Sequence, residues 1–225
     1  LVACGGGVSR AREAGRAVEI AAARATADAI VAPIAEAAVA PHEPAPKVAW
    51  AERLAPLRFV DGYQGASETV RLYRDDGAFD EEAARRVDRL LDHAMIGEPP
   101  PLDRRLLRLV VKAADHVHAD TVLVLSTWRA SARPGSRHAT SHAMDFQLAG
   151  VDAGKLARLL RTYARVGVGI YTHPRTRFVH LDVRDASFHW VDASPPGRVW
   201  REMGITDHAA AARDEAYDPA QDLPG

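Results

Sequence analysis

Cysteine is nearly absent from the sequence, since Cys4 is the only one among 225 residues. A single thiol excludes an intramolecular disulfide and any zinc site built from several thiolates. No stretch reaches about eighteen consecutive apolar residues, which excludes an internal membrane-spanning helix. Lys and Arg together number 29 and Asp and Glu 30, a net charge of −1. Without a basic excess to hold a polyanion, nucleic-acid binding is not expected.

Aromatic residues are missing from the first part of the chain. Residues 1–48 contain 16 alanines and no aromatic side chain, so this segment has little to bury and is predicted to be a tether rich in alanine and proline. Every Trp and Phe lies between Trp50 and Trp200. The folded domain is therefore predicted at 49–205, and the acidic residues 206–225 are predicted to form a flexible tail.

The first four residues carry a separate signal. Leu1-Val2-Ala3-Cys4, followed by three glycines, resembles the lipobox at the end of a bacterial lipoprotein signal peptide. This resemblance implies a lipid on Cys4, a location in the cell envelope (periplasm or outer membrane), and membrane contact through that lipid alone. The alternative is a chance run of four common residues.

The hydrophobic periodicity of the domain predicts helices first and a sheet afterwards. Asp80 is suited to cap the first helix, and the strands that close the domain are joined by short turns. This order predicts an α+β domain, with an antiparallel sheet and flanking helices. The predicted segments are a hairpin of 57–60 and 69–73, helices at 81–94, 102–118 and 153–165, and strands at 121–125, 166–171 and 178–183.

Histidine is concentrated in the C-terminal half, with seven of ten between His116 and His189. A catalytic zinc needs three protein ligands from histidine and carboxylate, with a fourth position left open. In an extended strand, His180 and Asp182 leave the backbone on one face. An ionisable pair on an otherwise apolar strand is costly unless that face lines a site.

Three motifs in this half resemble one family. Residues 136–145 carry Ser136, His138, Ala143 and Asp145 at the spacing of the first metal motif of zinc D-alanyl-D-alanine peptidases and murein endopeptidases (peptidase M15-like). Residues 126–129 are similar to the Ser-Gly-Tyr-Arg segment of that family. Residues 167–171 and 178–182 are similar to motifs of its YcbK-like branch. The resemblance implies a Hedgehog/D-Ala-D-Ala peptidase type of fold with one metal site, a Zn²⁺ cofactor, and His138, Asp145 and His180 as ligands.

The sequence departs from the family pattern at three positions. Ser141 replaces a glycine, Trp128 replaces a tyrosine, and Arg177 stands where many relatives keep an acid or histidine as general base. Arginine cannot accept a proton at working pH. Asp182 is then the nearest candidate for the base or for a residue that orients a metal ligand, with His173 and His189 as further candidates for proton transfer.

The resulting prediction is a zinc peptidase that cleaves peptide bonds in the stems or cross-links of bacterial peptidoglycan. Zinc would acidify a bound water and polarise the scissile carbonyl. Asp182 would transfer the proton, and Arg129 would hold a substrate carboxylate or the oxyanion. The alternative is an inactive, zinc-stabilised module that binds the cell wall or a partner, which Arg177 favours. A third hypothesis is a structural lipoprotein without zinc.

Overall fold

Eight strands form the centre of the domain. The computed structural model describes residues 46–92, 99–175, 177–195, 198, 200 and 202–225. The strands in chain order are β1 Leu57–Asp61, β2 Ser67–Val70, β3 Thr121–Ser126, β4 Ala143–Leu148, β5 Val166–Tyr171, β6 Phe178–Val183, β7 Phe188–Asp192 and β8 Met203–Gly204. They pair in one sheet in the order β2-β1-β3-β4-β6-β5-β7-β8.

Five α-helices accompany the sheet in the described part of the chain. They are α1 Ala49–Arg53, α2 Glu81–Leu90, α3 Arg104–Val117, α4 Ala153–Leu160 and α5 Ala210–Glu215, and the short 3-10 helices are Arg137–Thr140 and Pro219–Asp222. Three of the helices start in the same way. Asp80, Asp103 and Asp152 each accept a hydrogen bond from a backbone N–H in the first turn of α2, α3 and α4, which confirms the predicted cap at Asp80. None of the described helices is long and apolar enough to span a bilayer.

The predicted α+β class is confirmed, and the predicted antiparallel pairing holds for five of the seven strand pairs but not for the whole sheet. Two of the seven strand pairs are parallel, β1 with β3 and β5 with β7. Helices α2 and α3 lie between β1 and β3 in the chain and provide the crossover that a parallel pair requires. In the second case β6 returns antiparallel to β5, and β7 then adds to the free edge of β5 in the original direction.

The two faces of the sheet differ in polarity. Met144, Phe146, Val179 and Leu181 point to one face, which is buried under α3 and α4 together with the residues that fill the core. Their neighbours on β4 and β6 point to the opposite face. There Asp145 pairs with His180 across β4 and β6, and Gly169 pairs with His180 across β5 and β6. The fold therefore places Asp145, His180 and Asp182 on the face away from α3 and α4.

Strand prediction was most accurate next to this face. The predicted strands at 166–171 and 178–183 match β5 and β6, and β3 extends one residue beyond its predicted end. The helices are shorter than predicted, and α4 ends five residues early. Just after α4, two backbone N–H groups bond to the carbonyl three residues earlier, which is a tighter turn than that of an α-helix. Arg165 then takes a left-handed conformation (φ 54°), and β5 begins at the next residue.

The predicted flexible tail at 206–225 is also wrong, because the compact unit extends to Gly225. This segment forms α5 and the last 3-10 helix, and two of its carboxylates are buried. Asp222 accepts from Arg105 Nε at 2.8 Å and from the Tyr217 hydroxyl at 2.6 Å. Arg105 also donates to the carbonyls of Ala164 and Arg165. In the sequence these acids suggest a solvated tail. In the structure Asp222 is the partner of the largely buried Arg105. The predicted tether at 1–48, with Cys4, lies outside the described residues up to residue 45.

We expect Asp222→Asn to lower the free energy of unfolding by about 1–3 kcal/mol, because it removes the charged acceptor of a largely buried guanidinium. Urea denaturation followed by circular dichroism measures the change. Glu215→Gln is the matched control, since Glu215 is an exposed acid of the same segment. Equal stability of the two variants would contradict the anchoring role of Asp222.

Candidate metal centre

His138, Asp145 and His180 meet on the polar face of the sheet. One potential ligand atom from each lies within 4.8 Å of the other two, and all three side chains are buried. His180 Nδ1 lies 2.8 Å from Asp145 Oδ1, His138 Nε2 lies 3.2 Å from His180 Nδ1, and His138 Nε2 lies 3.4 Å from Asp145 Oδ1. The three predicted ligands thus form a single cluster.

Two of these residues are placed by the sheet and the third by a loop. Asp145 and His180 are directly opposite each other on β4 and β6. His138 belongs to the short 3-10 helix within the loop that joins β3 to β4. This loop turns back over the sheet, and its position is held where the backbone N–H of Arg129 donates to the His138 carbonyl at 3.1 Å.

Each imidazole is oriented through the nitrogen that points away from the cluster. His138 Nδ1 donates to the Thr127 carbonyl, which leaves Nε2 free to act as a ligand. His180 Nε2 donates to Asp182 Oδ2 at 2.9 Å, which leaves Nδ1 facing Asp145 and His138. A carbonyl or carboxylate behind a histidine is the arrangement that fixes the tautomer of metal-binding imidazoles.

The electrostatics of the cluster favour a cation. Burial alone would lower the pKa of His180, but hydrogen bonds and charge from Asp145 and Asp182 raise it to about 9. Burial opposes ionisation of Asp145 as well, yet the bonds from both histidines hold its pKa below the usual range. The two carboxylates therefore favour the protonated, positively charged form of His180. A divalent metal ion would replace that proton.

The spacing fits a tetrahedral ion. Ligands about 2.0–2.1 Å from zinc at tetrahedral angles lie roughly 3.3 Å apart, and the three separations in the cluster range from 2.8 to 3.4 Å. Two imidazoles and one carboxylate form a donor set typical of catalytic zinc. The residues present therefore fit the metal that the sequence predicted.

Behind the cluster, Asp182 is held by Arg184. Arg184 Nε donates to Asp182 Oδ1 at 2.6 Å, and Arg184 Nη2 bonds to Asp182 Oδ2. This pair passes directly over Gly167 on β5. A Cβ atom at Gly167 would lie 2.1 Å from Asp182 Oδ2 and 2.3 Å from Arg184 Nη2, so only glycine leaves room for the pair.

Gly169 leaves space for a contact on the other side of His180. A Cβ atom at Gly169 would lie 2.5 Å from the Trp190 indole. With that space open, Trp190 packs against the His180 ring, with 5.0 Å between ring centroids. The imidazole is thus confined by Trp190, Asp145 and Asp182, and its orientation is set before any ligand arrives.

Arg129 contacts the opposite end of the cluster. Its Nη2 bonds to Asp145 Oδ2 and its Nε donates to Ser126 Oγ at 2.7 Å. The side chain is 46% exposed, and Nη1 has no hydrogen-bond partner among the described residues. Arg129 can therefore neutralise Asp145 and still present a donor to the outside.

The position of Asp182 favours one of its two predicted roles, orientation of a metal ligand, over that of general base. Both of its oxygens are occupied by His180 and Arg184, its side chain is buried, and it lies beyond the far nitrogen of His180. Hydrogen bonds from His180 and Arg184 also outweigh burial and lower its pKa. Orientation of His180, the other predicted role, fits this position.

The further proton-transfer candidates, His189 and His173, lie in different parts of the structure. His189 points to the opposite face from Trp190, where it lies 3.4 Å from Asp207, so it does not face the cluster. His173 follows β5 in the turn before β6, and its Nδ1 accepts from the Arg175 N–H at 3.3 Å. Arg177 is exposed in the same turn. Unlike His189, His173 is partly exposed, and it lies in the turn that leads into the strand of His180.

Several supporting residues were missed at the sequence level. The sequence assigns no role in the site to Trp190, Arg184 or the Thr127 carbonyl. The alternating glycines of β5 were a usable signal, because glycine inside a strand often marks a close approach by another group. Ser141 adopts a left-handed conformation (φ 56°), which glycine enters without strain. This backbone conformation explains why the family has a glycine at the position of Ser141.

Comparison with known protein families gives one match. Residues 51–190, more than half of the chain, match the family model described as peptidoglycan L,D-endopeptidase MepK. The matched range includes the three clustered residues and extends to Trp190. No curated protein and no solved structure matches the chain.

We expect Gly167→Ala to weaken metal binding by about 10- to 100-fold, because the added methyl displaces the Asp182–Arg184 pair that orients His180. Competition of the purified variant against a zinc-sensitive dye measures the affinity. Gly204→Ala is the matched control in the same sheet, since its Cβ would lie 3.9 Å from the nearest atom. If both variants bind zinc like the wild type, the second layer of contacts does not govern the site.

Proposed function

Since the chain belongs to the peptidase family whose model matches residues 51–190, we propose that it is a zinc-dependent peptidase that cleaves peptide bonds in peptidoglycan stems or cross-links. The L,D-endopeptidase description of that family favours a bond between residues of opposite chirality. The observation that carries the proposal is the buried convergence of His138, Asp145 and His180 on the face of the sheet opposite to α3 and α4.

In this proposal His138 Nε2, Asp145 and His180 Nδ1 would hold the zinc ion. Bound zinc supplies a Lewis acid that polarises a carbonyl and lowers the pKa of water. Thr127 and Asp182 hold the two imidazoles in the required tautomers through their outer nitrogens. Asp182 is thus a positioning residue, and Arg184 acts behind it.

We assign to Arg129 the binding of negative charge on the substrate. Its free Nη1 would donate to a substrate carboxylate or to the oxygen that becomes negative as the peptide carbonyl is attacked. We assign proton transfer to His173, because Asp182 is fully occupied and His189 faces the other side of the sheet. The Hedgehog/D-Ala-D-Ala peptidase type of fold belongs to the same proposal.

The cell-envelope location also remains a proposal. It agrees with a peptidoglycan substrate, and it depends on a lipid at Cys4, which lies outside the described residues. The lipid would be the single contact with a membrane.

A second candidate function is an inactive zinc module that binds the wall or a partner. Two observations favour it, since Arg177 occupies the position of a base in many relatives and the carboxylate of Asp182 is fully engaged. The two candidates share the metal but differ in turnover.

We expect about one zinc per chain, by the count of one three-ligand cluster. His138→Ala, Asp145→Ala and His180→Ala should each abolish stoichiometric binding, and elemental analysis of dialysed protein measures it. His142→Ala is the control, because His142 lies in the same loop and bonds locally to Thr140. Full zinc occupancy in one of the three variants would remove that residue from the ligand set.

We expect Asp182→Asn to fold but to bind zinc about 10- to 100-fold more weakly, because an amide orients the His180 ring less strongly than a carboxylate. At saturating zinc, most of the cleavage rate should return. A general base would behave differently, since its loss costs about 10²- to 10⁴-fold in rate whatever the zinc concentration. Zinc titrations of activity separate the two roles.

We expect purified wild-type protein to release soluble peptides from peptidoglycan, to lose this activity with a chelator, and to regain it with zinc. Mass spectrometry of the products identifies the bond cleaved. Zinc-loaded protein that binds peptidoglycan without cleaving it would support the inactive module. Activity that resists chelation would contradict a role for the metal.

A further inference from the structure

Two loops next to the metal centre are rich in arginine and lack acids. Residues 127–142 join β3 to β4, and residues 172–177 join β5 to β6. Together they contain five arginines and no Asp or Glu, although acids slightly outnumber bases in the whole chain. We call these two segments the arginine loops.

Four of these side chains are exposed and have no hydrogen-bond or ion-pair partner among the described residues. They are Arg133, Arg137, Arg175 and Arg177. Elsewhere arginine is commonly paired, as in Arg71 with Asp75 and Arg86 with Glu68. The arginine loops therefore hold positive charge that no described residue neutralises.

The arginine loops lie at opposite ends of β4 and β6, with the metal centre between them. The first loop enters β4 at Ala143, which pairs with Asp182, whereas Asp145 and His180 pair further along the strands. The second loop enters β6 near the far end of β4, where the Gln147 side chain donates to the Arg177 carbonyl. An extended peptide lying across the cluster would reach both.

Unpaired charge of one sign around a cleft raises the local concentration of ligands of the opposite sign. Guanidinium groups also match carboxylates in shape, because two parallel N–H groups can bind both oxygens. Acidic charge is present near the end of β5, where Glu202 lies close enough to influence Tyr171, but neither arginine loop contains an acid of its own.

We propose that the arginine loops bind carboxylates of the substrate, and that the protein prefers stem peptides with free carboxylates over amidated ones. This inference rests on the proposed function. It also gives Arg177 a role: the residue that replaces an acid at the position of the family's base contributes to substrate binding.

The test compares two synthetic stem peptides that differ in one respect, free carboxylates in the first and carboxamides in the second. The zinc-loaded variants are Arg133→Gln with Arg137→Gln, and Arg175→Gln with Arg177→Gln. The matched control is Arg53→Gln with Arg158→Gln, two exposed arginines on α1 and α4 that also lack a partner among the described residues. All three remove two positive charges.

We expect each loop variant to lower kcat/KM for the carboxylate peptide by about two- to thirtyfold, mainly through KM, because each exposed ion pair contributes modestly. The amidated peptide should be cleaved equally by wild type and variants. Raising the salt concentration should reduce the preference of the wild type. Zinc content and the control variant should stay unchanged.

Equal losses on both peptides, or no loss, would overturn the proposal. Stronger competition by inorganic polyphosphate than by the carboxylate peptide would instead assign the arginine loops to phosphate-bearing polymers. If the wild type cleaves neither peptide, the proposed function fails separately. The binding of the two intact peptides, measured by fluorescence anisotropy, then decides the carboxylate preference by itself.

Discussion

The metal centre depends on the neutralisation of charge that is buried on one face of a sheet. Asp145 and Asp182 are both almost fully buried, within hydrogen-bonding distance of the same imidazole. Buried carboxylates are stable only when cations and donors surround them. Arg129 and Arg184 provide one cation for each, and His180 links the two. The glycines of β5 then become necessary, because no other residue leaves space for these side chains.

Much of the fold was predictable from local patterns. The strands at 166–171 and 178–183 were predicted with their observed ends, since alternating apolar residues and short turns define them clearly. Strand β7 was not predicted, because 188–192 is short and its pairing with β5 depends on a partner that is distant in sequence. The C-terminal segment was misassigned because its acids look solvated in sequence, and only the fold brings Arg105 to Asp222.

The sequence was sufficient to predict which residues form the candidate site, but not how their side chains are oriented. Alternation along β6 correctly predicts that His180 and Asp182 share a face. It does not reveal on which side of the imidazole the Asp182 carboxylate lies. A carboxylate on the side of the cluster could accept a proton, whereas one on the far side orients the histidine. The distinction depends on the ring orientation of His180, which is set by Asp145 on β4 and Trp190 on β7. Those contacts depend on the order of the strands in the sheet, which does not follow their order in the chain.

The origin of His138 in a loop has a consequence for the kinetics of metal exchange. Asp145 and His180 belong to neighbouring strands and can separate only if the sheet opens. His138 belongs to a loop whose backbone bonds, such as that from the Arg129 N–H to the His138 carbonyl, are mostly internal to the loop. A bound ion could therefore leave by a movement of this loop alone, with the sheet intact. Its residence time would then depend on local opening of the loop, and the lifetime of the folded state on the sheet.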